Sequence, residues 1–169
     1  MNANTDSSNL RSAKVKAVII ATNNGIPLVS VKTSSKIDEK LISPFFSAIK
    51  QFSESTLDFS KEGLDFLHIK GGDVESLVAR NHGLILIALM DKEMKKIGVQ
   101  KEAEEALDLF YEMYRKELDE MENNCVDLNV FKEFEAVLKN QIQDYYEKIE
   151  QDEGGFFNKF IKFFKKELS

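Results

Sequence analysis

The chain has 169 residues, 43% of them hydrophobic, which suffices for one well-filled core in a single domain. Its formal net charge is −6, and a chain this acidic argues against a nucleic-acid-binding surface, which needs a basic stripe. The single cysteine excludes an internal disulfide, there is no secretory signal, and no apolar run approaches the roughly 20 residues that span a bilayer. These features predict a cytoplasmic protein without a nucleic-acid partner.

The first part of the chain has the pattern of a β-hairpin. Residues 1–13 are polar, and we expect them to be a flexible lead-in. Residues 15–21 and 26–31 are rich in β-branched side chains, and the Asn-Gly dipeptide at 24–25 supplies the positive φ angles of a tight turn. They predict two antiparallel strands, the second at a sheet edge because Pro27 cannot donate to a ladder.

The pattern then changes to a helical period and returns to strands. Apolar residues three and four positions apart predict a helix over residues 38–53, with Pro44 as a kink or a later start. Three further strands are predicted at residues 64–69, 74–80 and 84–90. The first and fifth strands lack a polar face, so each must be covered on both sides.

Two helices complete the body of the chain. They are predicted over residues 101–121 and 128–151, with Asp127 as a candidate N-cap between them. Six carboxylates of the first helix predict a solvated face or, as the sharper interpretation, an acidic surface for a basic partner; they are Glu102, Glu104, Glu105, Asp108, Glu112 and Glu117. The paired glycines Gly154 and Gly155 favour a hinge over residues 152–155.

The element order predicts an α+β fold, with one helix on one face of the sheet and two on the other. It runs strand, strand, helix, three strands, helix, helix. The hairpin at 24–25, the glycine turn at 71–72 and the long apolar strand at 84–90 occur in this order. Together with the closing helices, they resemble the longin domain over residues 14–151; the aromatic and apolar residues of those helices are Phe110, Tyr114, Leu118, Phe131 and Phe134. The resemblance implies a five-stranded, mostly antiparallel sheet in the order 2-1-5-4-3.

The resemblance also implies a function in membrane traffic. Longin domains are non-enzymatic interaction platforms, and they occur in vesicle-trafficking complexes and in assemblies that bind or activate small GTPases. The implied partner is a small GTPase or another longin or roadblock-type domain, and a homodimer is compatible with such a sheet. Longin SNAREs carry a long coiled coil after the domain, whereas only residues 156–169 follow here, without heptads. This difference argues against fusion activity and suits a small single-domain longin protein of an archaeal or early-branching system.

Two related architectures remain as alternatives. The roadblock domain shares the sheet but begins with a helix, which the polar residues 1–12 do not favour. Sensor domains of the PAS or profilin-like type use a similar sheet and would hold a small ligand in a cavity. Sequence alone does not exclude such a cavity.

No group of residues has the spacing of a catalytic, metal or cofactor site. His68 and His82 have no cysteine or carboxylate at a metal-ligand spacing, and Cys125 has neither histidine close to it in sequence. The Gly-Gly-Asp run at 71–73 lacks the Lys-Ser/Thr of a phosphate loop and precedes a strand, so it favours a turn. We therefore expect no enzymatic activity, no metal and no cofactor.

The segment at residues 156–169 has a strongly amphipathic pattern. At about 100° per residue, its apolar side chains fall on one side of a helix and its lysines on the other. The predicted membrane- or partner-binding residues are Phe156, Phe157, Phe160, Ile161, Phe163, Phe164, Lys159, Lys162, Lys165 and Lys166. Such a stripe rests on an anionic membrane, in a groove of a partner or on the acidic body itself. The first of these would place the protein on the cytosolic face of a membrane.

Overall fold

Five strands form one antiparallel sheet in a computed structural model that describes residues 15–32, 42–43, 47, 66–71, 74–91 and 98–153. The strands are β1 (Val15–Thr22), β2 (Pro27–Lys32), β3 (Phe66–Gly71), β4 (Val74–Asn81) and β5 (Leu84–Asp91). Their order across the sheet is β2-β1-β5-β4-β3, and every neighbouring pair is antiparallel. The two strands without a polar face, β1 and β5, lie side by side in the interior of the sheet and are buried almost throughout.

The two described tight turns of the sheet have different geometries. At the β1–β2 turn only Gly25 has a positive φ, 84°, and its N–H donates to the Thr22 carbonyl at 2.9 Å. Since the Thr22 N–H also donates to the Ile26 carbonyl, the loop has three residues with glycine in the left-handed position. The prediction that both residues of the Asn-Gly dipeptide have positive φ is therefore wrong for Asn24. The β4–β5 turn has two positive φ angles, 55° at His82 and 72° at Gly83.

Two helices follow the sheet in the chain. Helix α1 (Val99–Met121) corresponds closely to the prediction, whereas the predicted helix over 128–151 is divided. A 3-10 turn (Leu128–Phe131) precedes helix α2 (Phe134–Glu153). The Asp127 carboxylate accepts a hydrogen bond from the Asn129 N–H at 3.0 Å, so the predicted cap is confirmed on the 3-10 turn. No helix among the described residues has both the length and the apolarity needed to cross a membrane.

The main core lies between the sheet and the two helices. Four aromatic rings lie at its centre, with centroids 4.9 to 6.2 Å apart for the pairs in contact; they are Phe110, Tyr114, Phe131 and Phe134. Such offset and edge-on pairs each add about 1 kcal/mol beyond their buried area. The three-residue spacing of Phe131 and Phe134 spans the junction between the 3-10 turn and α2, and both side chains are fully buried.

A second apolar cluster lies on the opposite face of the sheet. It contains Ala17, Val78, Ile85, Ile87 and Leu89, and the partly buried Ile42 packs against it. Residues 42, 43 and 47 are helical, and the rest of the helix predicted over 38–53 lies outside the described residues. The α+β class and the antiparallel sheet are thus confirmed.

Candidate functional site: the groove between the two helices

Helices α1 and α2 run in opposite directions and leave a groove between them. Glu102 of α1 contacts Lys148 of α2 at one end, and Phe110 contacts Phe134 towards the other. The groove has a volume of about 580 Å³ and is called the α1–α2 groove below. Its lining residues are Glu102, Glu105, Leu109, Val137, Asn140, Gln141, Asp144, Glu147 and Lys148.

A small hydrogen-bonded node closes one end of the groove. The Gln141 side-chain amide donates to the Glu102 backbone carbonyl at 2.7 Å and to its Oε2 at 3.3 Å, while the Lys148 Nζ donates to Oε1 at 2.5 Å. The hydrogen bond and the charge of Glu102 raise the pKa of Lys148 above its ordinary value. Among the described residues that line the groove, the single lysine is therefore already paired.

The remaining carboxylates make the groove acidic. Glu105, Asp144 and Glu147 are all exposed. Within the part of the chain that the structure describes, Asp144 and Glu147 form no hydrogen bond or ion pair, and Glu105 has only a 3.9 Å ion pair with Lys101 of its own helix. An exposed pair of this kind contributes little, about 0.5 kcal/mol or less. Three carboxylates are thus available to a cationic partner.

Apolar side chains lie beside these carboxylates. Leu109 is 45% exposed on α1, Met113 is 47% exposed one turn further along the same helix, and Val137 of α2 is partly buried. Exposed apolar residues next to unpaired acids are complementary to an amphipathic helix with basic borders. The groove can bind such a helix by packing and charge together.

An apolar cavity of about 60 Å³ lies beneath the node, between the helices and the sheet. Tyr145 lines it, and the buried hydroxyl of this residue has no hydrogen-bond partner among the described residues. Burial, with a smaller contribution from the Glu102 charge, raises the pKa of Tyr145 to about 12. The hydroxyl therefore stays protonated and can donate a hydrogen bond. The other lining residues are Val15, Val18, Leu86, Ala88, Met90, Val99, Glu102, Ala103, Ala106, Leu138, Gln141 and Ile142.

His82 joins the β4–β5 turn to α1, a contact that sequence reasoning did not predict. Its ring stacks on Tyr111 with centroids 4.2 Å apart, and its Nε2 lies 2.8 Å from Asp108 Oδ1. The Asn81 side-chain amide donates to the same oxygen at 2.9 Å, and the Arg115 guanidinium lies 5.1 Å from the Tyr111 ring centre. We call this group the His82 clasp. It ties α1, which forms one wall of the groove, to the β4–β5 turn of the sheet.

The predicted acidic face of α1 is divided between several roles. Glu102 and Glu105 belong to the groove, while Asp108 belongs to the His82 clasp. Glu104 accepts a hydrogen bond from the Gln100 side chain, and Glu112 accepts one from Arg115. Glu117 is only partly exposed. The structure therefore brings two of the six predicted carboxylates into one candidate surface and adds Asp144 and Glu147 from α2, which sequence reasoning did not single out.

Several other predicted residues take no part in this surface. Cys125 is an exposed free thiol in the connection between the helices. Among the described residues, no three His, Cys, Asp or Glu side chains are grouped so that they could hold a metal ion. The hinge glycines 154 and 155 and the whole amphipathic segment 156–169 lie outside the described residues, so its binding role stays a prediction.

The fold, in contrast to the sequence, has recognisable counterparts. No protein-family model matches the chain, and no curated protein matches it. Among solved structures, Myxococcus xanthus MglB has a TM-score of 0.51 at 12% identity, and the alignment covers 66% of this chain and 99% of that one. A Roadblock/LC7 domain from Streptomyces avermitilis has a TM-score of 0.49 at 12% identity, covering 62% and 86% of the two chains. The gliding protein MglB from Thermus thermophilus has a TM-score of 0.44 at 10% identity, covering 56% and 73%.

The likeness to Myxococcus xanthus MglB shows a shared fold and, at this identity, the fold alone. The α+β class of this fold, an antiparallel sheet with helices packed on it, is the class that the longin resemblance predicts. The feature expected to separate longin from roadblock domains, an N-terminal helix, would fall in residues 1–14, which the structure does not describe.

Proposed function

We propose that this protein is a non-enzymatic interaction platform of the longin type, which scaffolds or regulates a small GTPase or a membrane-trafficking complex in the cytoplasm. The observation that carries the proposal is the α1–α2 groove, where unpaired carboxylates border exposed apolar side chains. A surface of this composition is suited to binding a helix and has no group placed for covalent chemistry.

The fold supports the same function. The chain shares its fold with Myxococcus xanthus MglB. In the longin family, which the sequence resembles, such a sheet with helices on its face is used for protein contacts, and small GTPases are among the partners. Another longin or roadblock-type domain, including a second copy of this chain, would be an alternative partner through the same surfaces. The negative charge of the groove argues against nucleic acid.

Affinity capture tests the platform proposal. The full chain is immobilised and then incubated with native cytosol that contains either GDP or a non-hydrolysable GTP analogue. It should retain a small GTPase in one nucleotide state more than in the other. Retention of no GTPase in either state would contradict the proposal. A nucleotide difference is required because an acidic surface can retain basic proteins without specificity.

The amphipathic segment is proposed as the element of membrane contact or of docking on the domain itself. The full chain should co-sediment with vesicles that contain anionic lipid, because four lysines each contribute about 1 kcal/mol near such a surface. A full-length variant with Phe160→Glu and Phe164→Glu should lose this binding, since charges replace two residues of the apolar stripe. Equal sedimentation of the two proteins would exclude membrane contact through the stripe.

Ligand sensing of the PAS or profilin-like kind is the second candidate function. It is favoured by one observation, the apolar cavity with the unpartnered Tyr145 hydroxyl. A thermal-shift screen against apolar molecules of a few heavy atoms, the size that a cavity of about 60 Å³ admits, should then show a compound that raises Tm, and Ala106→Met, which fills the cavity, should abolish the shift. A screen in which no compound raises Tm would remove this candidate.

A further inference from the structure

We infer that the apolar cavity beneath the node binds a small apolar molecule with one hydrogen-bond acceptor, and that the node couples this site to the α1–α2 groove. The inference rests on the ligand-sensing function proposed above, for which it names the class of ligand. It also links that function to the groove, because a ligand in the cavity and a helix in the groove contact two of the same side chains. A small molecule would then regulate the binding of a partner.

The size of the cavity limits the ligand. A water-sized group needs about 10 to 15 Å³ of free volume, so a cavity of about 60 Å³ admits roughly four heavy atoms. Its walls come from β1, β5 and both helices and are mostly aliphatic, so most of the ligand must be apolar. An apolar occupant supplies the packing contacts that wall atoms lack around an empty space.

One polar group of the wall selects an acceptor. Of the residues that line the cavity, all of which the structure describes, Tyr145 alone has a buried polar atom without a hydrogen-bond partner. Because burial raises its pKa to about 12, the hydroxyl keeps its proton at neutral pH and can donate a hydrogen bond. A water molecule satisfies it poorly, since a buried water needs about two to four polar partners and the Gln141 amide is already bonded to Glu102. A carbonyl oxygen on an apolar molecule satisfies it with one hydrogen bond.

The node is the shared boundary of the cavity and the groove. Glu102 and Gln141 line both spaces, whereas Lys148 lines the groove only. The Gln141 amide lies 2.7 Å from the Glu102 carbonyl oxygen, and the Lys148 Nζ lies 2.5 Å from the Glu102 carboxylate, so these contacts connect α1 to α2. Loss of these contacts would open the cavity towards the groove. We therefore expect an intact node to slow the release of a ligand.

Occupation of the cavity favours the arrangement of helices that forms the groove. A ligand in contact with both helices, for example with Ala106 of α1 and Leu138 of α2, stabilises this arrangement over looser ones by its differential binding free energy. By thermodynamic linkage, a ligand in the cavity and a helix in the groove then each raise the affinity of the other.

A matched pair of small molecules tests the site in the full chain. Acetone and 2-methylpropene have the same branched shape, but only acetone carries an acceptor oxygen. In an NMR titration, both should shift the signals of residues that line the cavity. Tyr145→Phe should weaken acetone binding by about threefold to tenfold, because phenylalanine has no donor, and should leave the affinity for 2-methylpropene unchanged. Absence of binding by both molecules, or an equal effect of Tyr145→Phe on the two, would overturn the inference.

A residue that lines only the groove tests the coupling. Lys148→Met removes the ion pair of the node without changing the cavity wall, and it should speed the release of 2-methylpropene several-fold, measured by NMR exchange broadening. The matched control Lys139→Met makes the same change on an exposed residue of α2 that lines neither space and should leave the release rate unchanged. Equal release rates in Lys148→Met and the wild type would contradict the coupling.

These outcomes are distinguishable from failure of the proposed functions. No partner is present in the NMR measurements, so their result is independent of the GTPase capture. A compound that raises Tm in the thermal-shift screen, together with acetone binding that does not depend on Tyr145, would support ligand sensing and overturn the assignment of the ligand class.

Discussion

At the scale of single residues, two adjacent tyrosines show how differently a buried hydroxyl can be accommodated. Both side chains are 6% exposed. The Tyr146 hydroxyl accepts a hydrogen bond from the Val15 N–H at 2.9 Å and so ties α2 to the start of β1. The Tyr145 hydroxyl has no partner among the described residues and lies against an apolar cavity. An unpartnered buried hydroxyl carries a desolvation cost of about 1 to 3 kcal/mol.

We expect opposite effects when each tyrosine loses its hydroxyl. Tyr145→Phe removes the unpartnered group and should raise the free energy of unfolding by about 1 kcal/mol, whereas Tyr146→Phe leaves the Val15 N–H without an acceptor and should lower it by about 1 to 2 kcal/mol. Urea unfolding of the two variants and the wild type measures both changes. Destabilisation by Tyr145→Phe equal to that by Tyr146→Phe would show that the Tyr145 hydroxyl is satisfied in solution.

The His82 clasp gives a second prediction, which distinguishes the effect of the His82 side-chain contacts on stability from the effect of its backbone strain. His82 has φ 55°, a conformation in which a non-glycine residue costs about 1 kcal/mol. His82→Ala loses the stack on Tyr111 and the hydrogen bond to Asp108 without relieving this strain, and should destabilise the fold by about 1 kcal/mol. His82→Gly loses the same contacts but relieves the strain, so its stability should be close to that of the wild type. Equal midpoints of unfolding for the two variants would contradict this assignment.

At the scale of elements, the sequence pattern predicted most strands and helices to within two residues, because apolar periodicity reports which face each element buries. The difference at residues 128–133 has a physical cause. Phe131 and Phe134 are both apolar and three positions apart, so they fit one continuous helix as well as they fit a 3-10 turn followed by a helix. Apolar periodicity therefore does not distinguish these two structures. The turn geometry at Asn24 was missed for a related reason, since an Asn-Gly pair serves both two-residue and three-residue loops.

The 3-10 turn also carries an element-scale prediction. Asp127→Ala removes the carboxylate that accepts from the Asn129 N–H and should lower the free energy of unfolding by about 1 kcal/mol, whereas Asp127→Asn keeps an oxygen in the same place and should cost much less. Thermal or urea unfolding compares the two. A loss of similar size in both variants would indicate that the charge, and not the cap geometry, is what matters.

At the scale of the whole molecule, the candidate site could be predicted only in part. The acidic residues of α1 were visible in the sequence, but their division between the groove and the His82 clasp depends on which strand turn and which helix lie beside them. Asp144 and Glu147 become part of a site only because α2 packs antiparallel to α1. The amphipathic segment at residues 156–169 is the opposite case, since its pattern is plain in the sequence while the surface that it would bind is not readable from that pattern.

The central claim, that this fold is a platform for a small GTPase, is tested most directly by capture with matched groove variants. Three proteins are compared: the wild type, the groove variant with Asp144→Lys and Glu147→Lys, and the control with Asp119→Lys and Glu120→Lys. Each is immobilised and then incubated with native cytosol that contains GDP or a GTP analogue. We predict that the wild type and the control retain a small GTPase in one nucleotide state, and that the groove variant loses most of it. Retention of no GTPase, or equal retention by all three proteins in both nucleotide states, would contradict the account.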